Sequence, residues 1–270
     1  MENVCNLFFE LSNEIRLRIM LELVKDPLKL THVSNKLDLT SSESFRHLSR
    51  LSDSKLIVKN VEGFFRLTPV GEQALKWIPG YEFISDNSDY FQSHTLSNIP
   101  NELLLRLGEL SGCMFSDDAL VSVSNIESVI SEADEYIYTI HDQFLLSVYP
   151  LASEAVNRGV QIKTIDPVVY NPSLQIRGEV SEEDQKTLTQ ALEKGGLVPR
   201  MIEHFDVFLW MSEKEVAILS FPSFDGKFDY LGFTSKDDGA LKWCNDLFRY
   251  YWERAEPKHE LTFARPYNPQ

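Results

Sequence analysis

The sequence is short of the residues that carry most metal, redox and cofactor chemistry. Its 270 residues hold three cysteines, Cys5, Cys113 and Cys244. They lie far apart, form no Cys-x-x-Cys pair and have no histidine at metal-ligand spacing. Neither a disulfide framework nor a cysteine-held zinc site is expected, and the reducing cytoplasm is the simpler location. No apolar run approaches the roughly 18 residues that cross a bilayer. The stretch MENVCNLFFELSNEIRLRI lacks a basic segment followed by an apolar one, so no secretory signal and no membrane partner are expected. There is no GxGxxG or GxGxG loop, no GxxxxGK[ST], no GxSxG and no HExxH, so no cofactor is expected and the chain does not read as an enzyme. Positive charge is also scarce. Against 41 Asp and Glu stand 26 Lys and Arg, a net of −15, which argues against a protein that coats nucleic acid through overall basicity.

What is present is unevenly distributed. The length suits two domains. Cut near Trp77, the first part holds 11 bases and 10 acids, while residues 78–270 hold 15 bases and 31 acids. A near-neutral small module joined to a strongly acidic larger one suggests separate tasks.

In residues 1–77, Leu7, Leu11, Ile15, Ile19 and Leu23 recur every four residues, with Phe8, Met20 and Val24 beside them. This predicts an amphipathic helix ended by Pro27, with Ser12 or Asn13 able to cap a break near its start. A second helix fits 31–37, and a third runs from about 41 to 54. Projected at about 100° per residue, Phe45, Leu48, Leu51 and Ser52 fall on one side of the third helix. Ser42, Glu43, Arg46, His47, Arg50 and Asp53 fall on the other. Residues 56–59 and 64–67 then read as two strands around the turn Asn60-Val61-Glu62-Gly63. Three helices and a hairpin describe a winged helix-turn-helix, whose third helix enters the major groove while the hairpin lies on the backbone of double-stranded DNA. From Ser41 to Arg66 five bases face three acids, so this surface is locally positive. Arginine can pair two donors with the edge of guanine, and serine and histidine can bond bases or phosphates.

The segments LSNEIRLRIMLEL, SFRHLSRLSDSKLIVK and FFRLTPVGEQAL resemble the winged-helix domains of ArsR-like and related archaeal transcription regulators. The resemblance implies that Ser42, Arg46, His47 and Arg50 contact bases or phosphates and that Lys59 and Arg66 are wing contacts. Phe45 departs from the family, which often has a small polar residue there; it is expected in the core. The third helix lacks the cysteine pair of metal-sensing members.

Residues 78–114 read as a helical linker, broken at Pro79-Gly80 and at Pro100, with enough apolar residues for a dimer seam. Residues 115–270 alternate. Strands are expected at 119–123, 136–140, 160–165, 207–211, 216–221 and 230–233. Helices are expected at 125–131, 144–158, 181–194 and 237–255. This pattern fits an α/β domain with helices on both sheet faces. Ligands in such sheets sit beyond the carboxyl ends of the strands, where His141, Asp142, Asp166, Arg200 and His204 are the polar candidates; an unknown effector would be held by His141, Asp166, Arg200 and His204. The segments HTLSNIPNELLLRLGEL, SEADEYIYTI, NRGVQIKTID and DDGALKWCNDLFRYYWERA resemble the effector half of archaeal regulators that join a winged helix to a phospholipase-D-like sensor domain. These include the methanogen filament-regulator type and, more distantly, TrmB-like regulators. The implied fold class is α+β and α/β, a winged helix followed by a catalytically inactive phospholipase-D-like domain. The catalytic HxKxxxxD signature is absent, since no histidine is followed two residues later by lysine. The expected function is a homodimeric, sequence-specific transcription regulator. Two alternatives stand beside it: a docking scaffold without a small ligand, and an enzyme with a regulatory winged helix.

Overall fold

In the computed structural model, which describes residues 1–143, 145–169 and 180–261, the amino-terminal amphipathic stretch forms two helices, α1 (Glu2–Leu11) and α2 (Glu14–Lys25). Asn13 makes the break: its backbone is extended and its side chain accepts the Arg16 N–H at 3.1 Å. Next come α3 (Leu30–Leu37), α4 (Ser41–Asp53) and an antiparallel hairpin of β1 (Ile57–Lys59) and β2 (Phe65–Leu67), which pairs Val58 with Arg66. Asn60 holds the hairpin turn by accepting the N–H groups of Glu62 and Phe64, and Gly63 supplies the positive φ of 88°. Ile19, Met20, Leu23, Val33, Leu48, Leu51, Leu56, Ile57 and Phe65 close one core beneath these elements.

The chain divides into two units, Met1–Tyr81 and Glu82–Gln270, and the division falls inside α5 (Pro69–Asp86). The stop expected at Pro79-Gly80 therefore does not occur. Proline removes one helix hydrogen bond, and burial of Leu75 and Phe83 on either side of it outweighs that loss.

The second unit begins with short helices α6 (Ser88–Phe91) and α7 (Asn101–Leu104) and a 3-10 turn over Leu107–Leu110. Its remaining elements are β3 (Met114–Ser116), α8 (Ala119–Glu132), β4 (Tyr136–Ile140), α9 (Val148–Arg158) and β5 (Gln161–Pro167). Then come α10 (Glu182–Lys194), β6 (Leu197–Ile202), β7 (Phe208–Ser212), β8 (Val216–Ser220), β9 (Gly232–Ser235), α11 (Asp238–Trp252) and β10 (Glu256–Pro257). The eight strands form one sheet in the order β10-β6-β5-β4-β7-β8-β9-β3, parallel only across β4, β5 and β6. Helices α8, α9 and α10 pack side by side on it, while α11 packs on β4, β7 and β8. Every residue of β7 and β8 is buried.

Three expectations are corrected here. The strand expected at 119–123 is the first turn of α8, because Asp118 caps the Leu120 N–H at 2.8 Å and Ile126, Val129 and Ile130 follow at helical spacing. β6, whose Pro199 disguised it, is an additional strand. From the segment 78–114, Phe83, Tyr90, Ile99, Leu103 and Leu110 enter the core of the second unit. Tyr90 is tied to the sheet by accepting the Phe221 N–H at 2.8 Å, and Trp243 donates to the Leu103 carbonyl at 3.0 Å. The helix expected from 144 starts at Val148, and residue 144 lies outside the described residues.

Gly71 marks the tightest approach in the first unit. A Cβ there would lie 2.1 Å from the Leu56 carbonyl oxygen, where the first turn of α5 presses on the chain entering β1. Gly71→Ala is expected to cost about 1–3 kcal/mol or more in urea unfolding. The neighbouring Val70→Ala, at an exposed side chain, should stay within about 0.5 kcal/mol. Equal midpoints for the two variants would refute this contact.

Candidate nucleic-acid interface

The third helix of the first unit, α4, starts from a capping box. Thr40 Oγ1 accepts the Glu43 N–H at 3.2 Å, and the Glu43 carboxylate accepts the Thr40 N–H at 3.0 Å. The Thr40 contacts also hold the Glu43 carboxyl below its ordinary value. Where α3 meets α4, Ser34 and Ser44 hydroxyls bond at 2.9 Å. That small pair lets the helices approach closely and sets the rotation of α4. Ser44, His47, Leu48 and Leu51 are buried, while Ser42, Phe45 and Arg46 are exposed.

Two sequence assignments change as a result. His47, expected on the groove side, is 5% exposed, and Phe45, expected in the core, is 63% exposed. The helical period is the expected one and the phase differs: Phe45 turns outward, while small Ser44 and the imidazole of His47 fill the interior. The 44, 47, 48, 51 spacing was the signal available in the sequence.

Arg50 is half-exposed and committed on one edge. Its Nη2 and Nε donate to Glu10 at 2.6 and 3.2 Å, so that edge is already engaged. Lys59 and Arg66 both lie exposed on the hairpin. Lys59 Nζ sits 5.5 Å from the Phe65 ring centre, and Arg66 borders a surface groove with Leu21, Val24, Val58 and Lys76. At the hairpin tip Val61 is fully exposed.

In the second unit the parallel strands β4 and β5 bring His141 and Asp166 together at their carboxyl ends, with Nε2 3.8 Å from Oδ1. Thr164 donates to Asp166 at 2.9 Å, and Lys258 reaches the other carboxylate oxygen at 2.5 Å. His141 also stacks on Trp210, with ring centres 5.2 Å apart. Burial lowers the His141 imidazole pKa against the pull of Asp166 and Asp142, so it stays neutral near pH 7, while burial raises the Asp142 carboxyl. His141 Nδ1, Asp142 Oδ1 and Trp210 Nε1 are buried without hydrogen-bond partners among the described residues. Thr164, Lys258 and Trp210 were invisible as site residues, because nothing local in their sequence marks them.

Arg200 and His204 do not join this cluster. Arg200 is in register with Ile165 rather than Asp166, so it leaves the sheet on the opposite face. There it stacks 4.3 Å from the Trp252 ring centre and donates to the Trp252 carbonyl at 2.6 Å. His204 is exposed, in the loop before β7, and contacts Asp206 at 2.8 Å. Among the described residues no cluster of histidine, cysteine and acid side chains is suited to a metal, and no helix is long and apolar enough to cross a membrane.

Burial and the neighbouring Arg46, Arg16 and Arg50 lower the His47 pKa, opposed by Glu43. An unfolded imidazole titrates near 6.5, so below that value the unfolded chain binds a proton that the folded chain refuses. The stability linked to His47 is complete above about pH 6.5 and is lost as the pH falls toward the lower folded value. Urea midpoints of wild type should therefore fall faster than those of His47→Leu between about pH 7.5 and 5.5. Parallel pH curves would refute the assignment.

Comparison with known proteins gives one family match. Residues 122–254 match the model described as the middle domain of the methanogenesis regulatory protein FilR1. No curated protein matches the chain. Among solved structures it is similar to TrmBL2, an archaeal chromatin protein, at 17% identity and a TM-score of 0.42, covering 90% of this chain and 94% of that one. NucT from Helicobacter pylori is 12% identical with a TM-score of 0.38, over 54% of this chain and 97% of that one. Nuc from Salmonella typhimurium, a phospholipase D family member, is 13% identical with a TM-score of 0.36, over 55% and 97%. Over residues 122–254, just under half of its length, the chain is thus similar to the middle domain of that regulatory protein.

Proposed function

We propose that the chain is a homodimeric, DNA-binding transcription regulator whose α/β unit senses an effector. The observation that carries this reading is the exposed strip Ser42, Phe45 and Arg46 on the amino-terminal half of α4, flanked by a hairpin bearing Lys59 and Arg66. Residues at the start of a recognition helix are those that reach base edges, and a wing grips the flanking backbone. Arg46 suits guanine, and the exposed Phe45 ring suits the methyl group of thymine. The charge division supports the same surface: residues 78–270 are strongly acidic and repel DNA, leaving the winged helix to dock.

The effector reading rests on the His141–Asp166 end of the parallel strands, where buried side-chain atoms have no hydrogen-bond partner among the described residues. Binding there would act on DNA affinity only through a difference in affinity between two states of the dimer. Pairing of copies is supported by the exposed Phe8–Tyr81 contact, with Val4 and Trp77 beside it.

Selection from a random DNA pool tests the reading. A recovered two-fold site with half-sites about 34 Å apart is expected, and no enrichment would sink it. Against that site Arg46→Ala should lose about 1–3 kcal/mol and relax one base position. Lys59→Ala and Arg66→Ala should instead weaken all sequences alike and lower the salt slope by about 0.9 each.

A further inference from the structure

A buried carboxylate underlies the recognition helix. Glu10, in the last turn of α1, has a side chain only 8% exposed, yet it serves two guanidinium groups. Arg16 Nε lies 2.8 Å from Glu10 Oε2, and Arg16 also donates to the backbone carbonyls of Glu10 and Phe9 at 2.9 and 2.7 Å. Those bonds engage the Nε and Nη2 groups of the buried Arg16 and close the carbonyl end of α1. Arg50 presents its Nε and Nη2 edge to the same carboxylate, and both guanidiniums lie over the Phe9 ring, 5.8 and 5.1 Å from its centre.

One carboxylate against two guanidiniums leaves one positive charge without a partner. Arg16 is buried, so the excess is accessible to an incoming anion at Arg50, whose side chain is 44% exposed. The outer Nη1 and Nη2 hydrogens of Arg50 remain available to a second anion. Arg50 lies one turn beyond Arg46 on the same flank of α4, where a recognition helix has passed the base edges and meets the backbone.

We propose that Glu10 is a positioning residue that fixes the Arg50 guanidinium for one DNA phosphate, making α1 part of the DNA-binding module. This rests on the DNA-binding reading above. Arg50 thereby changes role: it is a pre-oriented backbone contact rather than a base reader. Holding a rotamer-rich side chain in place before binding spares the cost of ordering it in the complex.

The test measures binding of the full-length protein to its selected site by fluorescence anisotropy over a salt series. Glu10→Gln and Arg50→Lys should each weaken binding roughly tenfold and reduce the salt slope by about 0.9. The loss should be equal across sequences, with no base position relaxed. Arg50→Lys does not touch the Glu10–Arg16 contact, and an unchanged urea midpoint separates its loss of binding from unfolding. The double variant should be no weaker than either single one, because both act through one contact. Tighter or unchanged binding by Glu10→Gln overturns the proposal, as do multiplying losses or a relaxed base position in Arg50→Lys. If wild type enriches no DNA at all, the DNA-binding reading itself has failed, a result distinct from these.

Discussion

The rotation of α4 about its own axis is the constraint on which the first unit depends. It is set where two small hydroxyls, Ser34 and Ser44, meet between α3 and α4, and by the Thr40–Glu43 capping box that fixes where the helix starts. With that phase, Leu48 and Leu51 complete the core, His47 is carried inside and Phe45 is turned out. A rotation by one residue, about 100°, would bury Arg46 and expose Leu48. The hydrophobic cost of that exchange, together with the cost of burying a charge, makes the observed phase decisive.

The same phase brings Arg50 over Glu10 and Phe9. Helix α1 is thus tied to the exposed side of α4 through a carboxylate and an aromatic ring, not through a shared apolar core alone. Electrostatics in this region are local. Burial, with the arginines around it, lowers the His47 pKa, while Glu10 offsets one of the two guanidinium charges beside it.

In the second unit the controlling feature is the short parallel core β4-β5-β6 within a mostly antiparallel sheet. Parallel neighbours end on the same side, so the residues following β4 and closing β5 converge. That is why His141 and Asp166, 25 positions apart, meet at the carboxyl ends of these strands. Alternation along β6 sends Arg200 the other way, to Trp252. Burial lowers the His141 pKa, and the Asp166 carboxylate finds its ion-pair partner in Lys258.

Much was legible because it is written in local pattern. Leucine and isoleucine spacing marked α2, the Asn60–Gly63 turn marked the hairpin, Gly159 and Gly195 ended α9 and α10, and the run Tyr136–Ile140 is a strand with the bounds read from sequence. Composition likewise located the acidity outside the winged helix. Other features depend on partners distant in sequence. A 3.6-residue period fixes a helix but not its phase when serine and histidine, not only leucine and phenylalanine, fill the interior. Nothing near Glu10 announces Arg50, forty positions away, and nothing near Asp166 announces Lys258. The sequence by itself determined which segments become helices and strands and where the charge lies, because those follow from neighbours along the chain. Only the tertiary structure decided which faces turn outward and which charged groups meet, because burial and Coulomb energy depend on distances in space.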